Sequence, residues 1–159
     1  MAQQRQVFLT GGTGFPGRSL AAELLRRGHG VRALVRPGSE SRVAPACEGV
    51  HGDALHSETY AANVAPSDTF VHLIGISHPS PRKAEEFRTI DLVSCQEAVK
   101  AARQLGLRHF VCLGVARPAP MMKDYQAGRA EGERMITDAE SRRPLCVRGT
   151  CWGRAEAGR

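Results

Sequence analysis

The chain has 159 residues, which is enough for one domain with a hydrophobic core and too few for a comfortable two-domain enzyme. Its hydrophobic and charged fractions, 42% and 24%, are ordinary for a globular protein, and no apolar run approaches the ~20 residues of a membrane span. The first residues show no apolar signal segment, so a cytoplasmic protein without a membrane partner is expected.

The formal net charge of +6 comes from arginines scattered along the sequence, not from one basic block. This distribution argues against nucleic acid as a partner and is compatible with an anionic small molecule. The five cysteines form no CxxC pair and have no Cys/His spacing suited to zinc. Reduced, packed thiols and no metal site are therefore expected.

Short apolar runs alternate with helix-length segments along the whole chain. The predicted strands are 7–10, 31–35, 49–51, 70–74, 109–113 and 145–147, and the predicted helices lie near 16–28, 56–63, 82–105 and 124–140. Such alternation is typical of parallel βαβ units, because parallel strands need a crossover helix and are buried on both faces. The predicted fold class is α/β, a doubly wound parallel sheet of Rossmann type. Gly28 is predicted to end the first helix as its C′ residue.

The stretch "LTGGTGFPGR", residues 9–18, joins the first predicted strand to the first helix. It contains two overlapping fingerprints, Gly11-x-x-Gly14-x-x-Gly17 and Gly12-x-Gly14-x-x-Gly17. Glycines there permit a tight turn and close approach of a pyrophosphate, which the helix N-terminus attracts. The predicted cofactor-binding residues of this loop are Thr10, Gly11, Gly12, Thr13, Gly14, Phe15 and Gly17. The alternative is a glycine-rich turn that holds no ligand.

The second predicted strand ends in "VRALVRPG", with no carboxylate before Glu40. An NAD-specific site would offer Asp or Glu to the ribose hydroxyls at this point. Arg36 could instead bind a 2′-phosphate, and Arg32 is a second candidate for this role. NADP(H) is therefore favoured as the cofactor and NAD(H) is the alternative; the other interpretation of Arg36 is an ordinary surface arginine.

Four segments together resemble the atypical and extended short-chain dehydrogenase/reductases, nearest to the NmrA-like and complex I 39-kDa-subunit-like NAD(P)-binding proteins. These segments are "TGGTGFPGR", "VRALVRP", "HGD" at 51–53 and "YQAGRAEGE" at 125–133. The resemblance covers residues 5 to about 144 and implies a nicotinamide dinucleotide as the bound partner. It also implies that Asp53 approaches the adenine, for which the alternative is a loop cap.

The same resemblance implies a catalytic Tyr-x-x-x-Lys pair, which corresponds to Tyr125 and Arg129 on one helix face. The tyrosine would act as acid or base, while arginine supplies a positive charge without being equivalent to lysine. The Ser or Thr that the family places after the fifth strand is missing, since residues 113–116 read Leu-Gly-Val-Ala. Tyr125 is thus either catalytic or a helix-packing residue. His72 and His78 near the end of the fourth strand are interpreted as structural.

Relatives continue past the sixth strand with a segment like Leu-Arg-Pro-Trp-Tyr-Val-Leu-Gly-Pro-Gly, where this chain has Leu145-Cys-Val-Arg-Gly-Thr-Cys-Trp-Gly-Arg154. Codons for the observed stretch, read one frame over, permit the family segment. We hypothesise a frameshift shortly before Leu145, in a gene for a longer protein; the coding DNA would decide this. A Rossmann domain over residues 1–148, an irregular tail over 149–159 and no substrate lobe are the resulting expectation.

Three functions stay open from the sequence. The first is an NADP-dependent oxidoreductase or epimerase-like enzyme that acts on a small-molecule substrate through Tyr125 and Arg129. The second is a non-catalytic, dinucleotide-sensing regulator or an assembly module with a protein partner, which the missing hydroxyl favours. The third is an inactive truncated product.

Overall fold

A single parallel sheet organises the structure, a computed structural model that describes residues 4–76, 81–107, 109–113, 130–132, 134–135 and 146–150. Its strands are β1 (Gln6–Thr10), β2 (Gly30–Val35), β3 (Glu48–His51), β4 (Thr69–His72), β5 (His109–Leu113) and β6 (Cys146–Thr150). They are all parallel and lie in the order β3-β2-β1-β4-β5-β6. The predicted doubly wound sheet is confirmed, and the strand order reverses between β1 and β4.

The helices flank this sheet. They are α1 (Phe15–Arg26), α2 (Ala84–Glu86) and α3 (Val93–Gln104), with a π-helical segment Phe87–Leu92 between the last two. Single 3-10 turns lie at Glu40–Arg42, Ser57–Thr59, Ala61–Asn63 and Pro81–Lys83. Residues 130–132 and 134–135 are helical and fall inside the helix predicted at 124–140. Within the described ranges, no helix is long and apolar enough to cross a bilayer.

The short second helix and the last strand differ from their predicted form. The short helix predicted near 56–63 is a pair of 3-10 turns, because Tyr60 between them leaves helical geometry (φ −136°) and buries its ring beside Phe8, 5.9 Å between centroids. The last strand was predicted at 145–147 and is observed at Cys146–Thr150. Thr150 pairs with Leu113 in β5.

The two faces of the sheet carry separate hydrophobic clusters, as the period of two along a strand requires. One face holds a row of aromatic rings from the central strands, Phe8 against Phe70 at 5.2 Å and Phe70 against Phe110 at 5.3 Å, packed under α3. On the other face, Val7 and Leu9 of β1 pack with α1. Every central strand is therefore buried on both sides, and only the strand ends are available to a ligand.

The end of α1 fixes the first βαβ unit, as predicted. Gly28 has a positive φ of +81° and donates its N–H to the carbonyl of Leu25 at 2.9 Å, while the His29 N–H reaches the Leu24 carbonyl at 3.0 Å. This pair of bonds is a Schellman motif, in which glycine adopts the left-handed conformation without a Cβ clash. The motif turns the chain directly into β2.

Candidate functional site

The glycine loop, residues 11–14, lies at the carboxyl end of β1, where the strand order reverses. Thr10 at the end of β1 pairs with His72 at the end of β4, and the Leu73 N–H donates to the Thr10 carbonyl at 3.1 Å. The loop therefore starts between the ends of β1 and β4, and α1 begins directly after it at Phe15. In open α/β sheets this crevice is where ligands bind.

Gly11 and Gly17 are two of the glycines that this tight junction of β1 with α1 requires. Gly11 has φ +77°, and a Cβ there would lie 2.9 Å from the carbonyl carbon of Leu73. A Cβ on Gly17, in the first turn of α1, would overlap the carbonyl oxygen of Gly11. Both side chains must be absent for the helix to approach β1 this closely, as the dinucleotide fingerprint requires.

The N-terminus of α1 presents unused hydrogen-bond donors. The first intrahelical bond runs from the Arg18 N–H to the Gly14 carbonyl at 2.9 Å, so the amides of Phe15 and Gly17 have no carbonyl to bond within the helix, and Pro16 carries none. Gly14 caps the helix without a side chain, and the first turn contains no acidic residue. The positive end of the helix dipole is therefore uncompensated, which suits a phosphate group.

The other predicted loop residues have different environments. Thr13 is half-buried, and the Phe15 ring is 86% exposed at the mouth of the crevice. Gly12 is buried, and a Cβ there would lie 2.8 Å from the Cβ of Ala33 in β2. Gly14 is exposed and has room for a Cβ, 3.4 Å from the Gly11 carbonyl oxygen. Its exposed backbone at the N-cap of α1 is where the predicted diphosphate would lie.

The Thr10 side chain supports the loop from inside the protein. It is fully buried, and its Oγ1 hydrogen-bonds Nδ1 of His72 at 2.8 Å. The Nε2 of His72 lies 3.5 Å from Oγ of Ser94 in α3. Burial of a polar group is costly without such partners. The hydrogen bonds from Thr10 through His72 to Ser94 therefore fix Thr10 and the start of the loop. His72 has the structural role that the sequence predicts, and Ser94 was not anticipated.

Arg36 and Arg32 have different surroundings, although the sequence gives both as phosphate ligands. Arg36 follows β2 and is exposed at the same edge as the glycine loop. Arg32 lies inside β2, with its guanidinium bonded to the Glu48 carboxylate and to the carbonyls of Asn63 and Ala65. The structure argues against Arg32 as the phosphate ligand, since Nη1 and Nη2 of its guanidinium already bind these acceptors of the protein.

Asp53 follows β3 at the carboxyl edge of the sheet and is exposed. Its Oδ1 accepts the Leu55 N–H at 2.9 Å, and its own N–H donates to Oγ1 of Thr59 at 2.9 Å. Oδ1 of Asp53 therefore caps its own loop, as the alternative interpretation predicts. The predicted approach to the adenine stays a prediction, which this exposure at the sheet edge permits.

Glu40 begins the 3-10 turn that follows β2. Its Oε1 accepts the Gly38 N–H at 3.1 Å and lies 3.5 Å from Nδ1 of His51 at the end of β3. Hydrogen bonds from its own amide and from the Gly38 amide lower the pKa of the Glu40 carboxyl, and the nearby His51 ring lowers it further. The first carboxylate after β2 is thus an anion at neutral pH.

The predicted catalytic residues Tyr125 and Arg129 lie outside the described residues. Cys47, Cys95 and Cys112 are in the thiol form. In the described part of the chain, no group of three or more His, Cys, Asp or Glu side chains is placed to hold a metal ion. The site that the structure describes is thus the glycine loop with the ends of β2, β3 and β4.

Known proteins share both the sequence pattern and the fold. The model of the NAD(P)H-binding family matches residues 11–140, from the glycine loop to beyond β5. The 3-beta-hydroxysteroid dehydrogenase of Mycolicibacterium neoaurum is 34% identical over 112 residues, which are 67% of this chain and 31% of that protein. The 4-hydroxy-2-methyl-3-oxo-4-farnesyl-3,4-dihydroquinoline-1-oxide ketoreductase of Stigmatella aurantiaca is 28% identical over 153 residues, 84% of this chain and 46% of that protein.

Among solved structures, the Bordetella bronchiseptica enzyme WbmH in complex with NAD+ has the same fold, with a TM-score of 0.73 at 18% identity. The match covers 94% of this chain and 56% of that one. The chain thus spans between 31% and 46% of the length of the two curated relatives. The glycine loop at the strand reversal, the parallel sheet and the family match agree, and the chain belongs to the NAD(P)H-binding family of the short-chain dehydrogenase/reductase superfamily.

Proposed function

We propose that this chain binds NADP(H), with the diphosphate at the N-terminus of α1 and the adenosine 2′-phosphate beside Arg36. The observation that carries the proposal is the helix N-terminus itself. The amides of Phe15 and Gly17 are without intrahelical acceptors, no acidic side chain occupies the first turn, and the N-cap residue Gly14 is exposed and has no side chain. A diphosphate supplies the oxygens and the charge that this end of the helix lacks.

The preference for NADP(H) over NAD(H) rests on the end of β2. The exposed guanidinium of Arg36 follows the strand directly, and a planar fork of donors binds phosphate in a bidentate manner. The first carboxylate, Glu40, already accepts a hydrogen bond from Gly38 and faces His51. Its carboxylate is therefore already engaged with groups of the protein, unlike the free acidic residue that an NAD site offers to the ribose hydroxyls.

Arg36→Ala is expected to weaken NADPH binding about 10- to 100-fold, the loss of charge-assisted hydrogen bonds to a phosphate. NADH binding should change less than about twofold, since NADH lacks the 2′-phosphate. Parallel titrations of both nucleotides by fluorescence measure this difference. Arg42→Ala, which removes another exposed arginine from the neighbouring turn, is the control. Equal losses for the two nucleotides in the Arg36 variant would refute the assignment.

The reaction proposed for the whole protein is hydride transfer between the nicotinamide and a small carbonyl or alcohol, as in an oxidoreductase or epimerase-like enzyme. Tyr125 would exchange a proton with the substrate oxygen, and Arg129 would stabilise its ionised form. The two curated relatives are named as a hydroxysteroid dehydrogenase and a ketoreductase, which supports this class of reaction. The bound nicotinamide supplies the hydride chemistry itself.

A second candidate is a dinucleotide-binding regulator or assembly module without turnover. It is favoured by the sequence after β5, because Leu113, Gly114, Val115 and Ala116 lack the hydroxyl that would polarise the substrate oxygen. The partner would then be a protein that distinguishes the loaded from the empty chain. An inactive truncated product is the third reading, and it predicts weak or absent binding.

Tyr125→Phe separates the enzyme from the regulator. We expect hydride transfer to a panel of carbonyl compounds to fall at least about 100-fold, while NADPH affinity stays within about twofold. Tyr60→Phe is the matched control, because the buried Tyr60 hydroxyl has no hydrogen-bond partner among the described residues and burial raises the pKa of its phenol. A wild-type chain that binds NADPH but reduces nothing on the panel would favour the regulator.

A further inference from the structure

A backbone amide and an imidazole beside Arg36 form a small niche that holds one of the protein's own carboxylates. Ser39 donates its N–H to the Arg36 carbonyl at 3.0 Å, which closes a turn with Gly38 at φ +82°. This turn points the Gly38 N–H at Oε1 of Glu40, 3.1 Å away. The same Oε1 lies 3.5 Å from Nδ1 of His51. A backbone amide and an imidazole are groups that phosphate oxygens also accept hydrogen bonds from.

The sheet register places this niche at the proposed 2′-phosphate site. Val35 at the end of β2 pairs with His51 at the end of β3, and the Gly52 N–H continues the pairing to the Val35 carbonyl at 3.2 Å. Arg36 is the next residue after Val35. Arg36, the Gly38 amide and the His51 ring therefore lie at one corner of the carboxyl edge.

Building on the proposed function, we infer that Glu40 and His51 determine nucleotide specificity: the Glu40 carboxylate competes with the 2′-phosphate of NADPH for the donors beside Arg36. A phosphate of about two negative charges must displace this carboxylate or bind next to it. NADH has a hydroxyl at that position, so the Glu40 carboxylate does not compete with it for these donors. Glu40 lowers the affinity for NADPH, and the His51 ring supports the phosphate once the carboxylate has moved aside.

The opposite role for Glu40 is that of the acidic residue that accepts the ribose hydroxyls of NADH. The two roles predict opposite results for one substitution, Glu40→Gln, which keeps the length of the side chain and an acceptor for the Gly38 amide. A competing carboxylate weakens NADPH binding, so its neutralisation strengthens that binding. A ribose ligand strengthens NADH binding, so its neutralisation weakens that binding.

The test is a pair of equilibrium titrations, NADPH and NADH, on the full chain at low ionic strength, where charge effects are largest. Glu40→Gln is expected to lower the NADPH dissociation constant about three- to tenfold and to leave that of NADH within about twofold. His51→Gln is expected to raise the NADPH value about threefold with no effect on NADH. Glu58→Gln is the matched control, since Glu58 forms a similar exposed pair with His56, Oε1 to Nδ1 at 3.5 Å, beyond β3.

A weaker NADH complex of the Glu40 variant would overturn the inference and make Glu40 a ribose ligand. An unchanged NADPH affinity, or equal changes for both nucleotides, would overturn it as well. Titration of the Arg36→Ala variant distinguishes failure of this inference from failure of the proposed function. If NADPH binding depends on Arg36 and not on Glu40, the proposed function stands and the inference fails; if the folded chain binds no nucleotide, both fail.

Discussion

Gly14→Asp should abolish nucleotide binding while the protein keeps its fold. Gly14 has extended backbone angles (φ −78°, ψ 166°) and space for a Cβ, so the new side chain meets no clash. Aspartate is a favoured N-cap residue, and its carboxylate would bond the amide of Gly17 in the first turn. It would thus occupy the donors that the diphosphate needs and repel its charge. We expect the NADPH dissociation constant to rise at least about 100-fold.

Thermal unfolding provides the internal check on this variant. Because an aspartate cap is slightly better than glycine, we expect the free energy of unfolding to rise by a few tenths of a kcal/mol. The midpoint temperature should therefore be equal to or above that of the wild type. Gly14→Asn offers a similar cap without the charge and isolates the electrostatic part of the loss. An aspartate variant that binds NADPH as tightly as the wild type would show that the diphosphate does not lie at α1.

Gly17→Ala should destabilise the fold strongly. Alanine is the better helix former by about 1 kcal/mol, so helix propensity alone predicts a more stable protein. The added Cβ, however, would overlap the carbonyl oxygen of Gly11, which is fixed by the bond that it accepts from the Gly14 N–H at 3.1 Å. Relief requires α1 to move away from β1, and we expect a net loss of about 2–3 kcal/mol.

Urea unfolding measures this loss as a lower midpoint. Gly14→Ala is the control, because its Cβ would be 3.4 Å from the same Gly11 oxygen and needs no movement of the helix. Adding NADPH should raise the urea midpoint of the Gly17→Ala protein only if the glycine loop still forms. A Gly17→Ala protein as stable as the Gly14→Ala protein would mean that the helix does not approach β1 as closely as described.

The sheet could be predicted because its strands carry their own signal. Parallel strands buried on both faces read as continuous apolar runs, and the runs at Val7–Thr10 and His109–Leu113 end within one residue of β1 and β5. The fourth strand was predicted to reach Ile74 but ends at His72. Its neighbour β1 turns into the glycine loop after Thr10, so the residues beyond Leu73 have no strand to continue along on that side. That limit is set by the neighbouring strand.

The geometry of the candidate site could be predicted where it depends on local spacing in the sequence. The glycines at 11, 14 and 17 are such a case, since strand, turn and helix N-terminus are contiguous. Arg32 and Arg36 could not be separated in this way. Only the pairing of β2 with β3 places Arg32 opposite Glu48, where the two side chains bond, and brings His51 to Glu40. Contacts that depend on register between strands have no signature in a single sequence.

The binding of NADPH to the purified, folded chain tests the central claim most directly. We propose that main-chain donors at the junction of β1 and α1 hold a diphosphate and that Arg36 selects the phosphorylated ribose. A fluorescence titration should therefore saturate with NADPH and require more NADH to reach the same signal. A folded protein that shows no saturable signal with either nucleotide would contradict the claim.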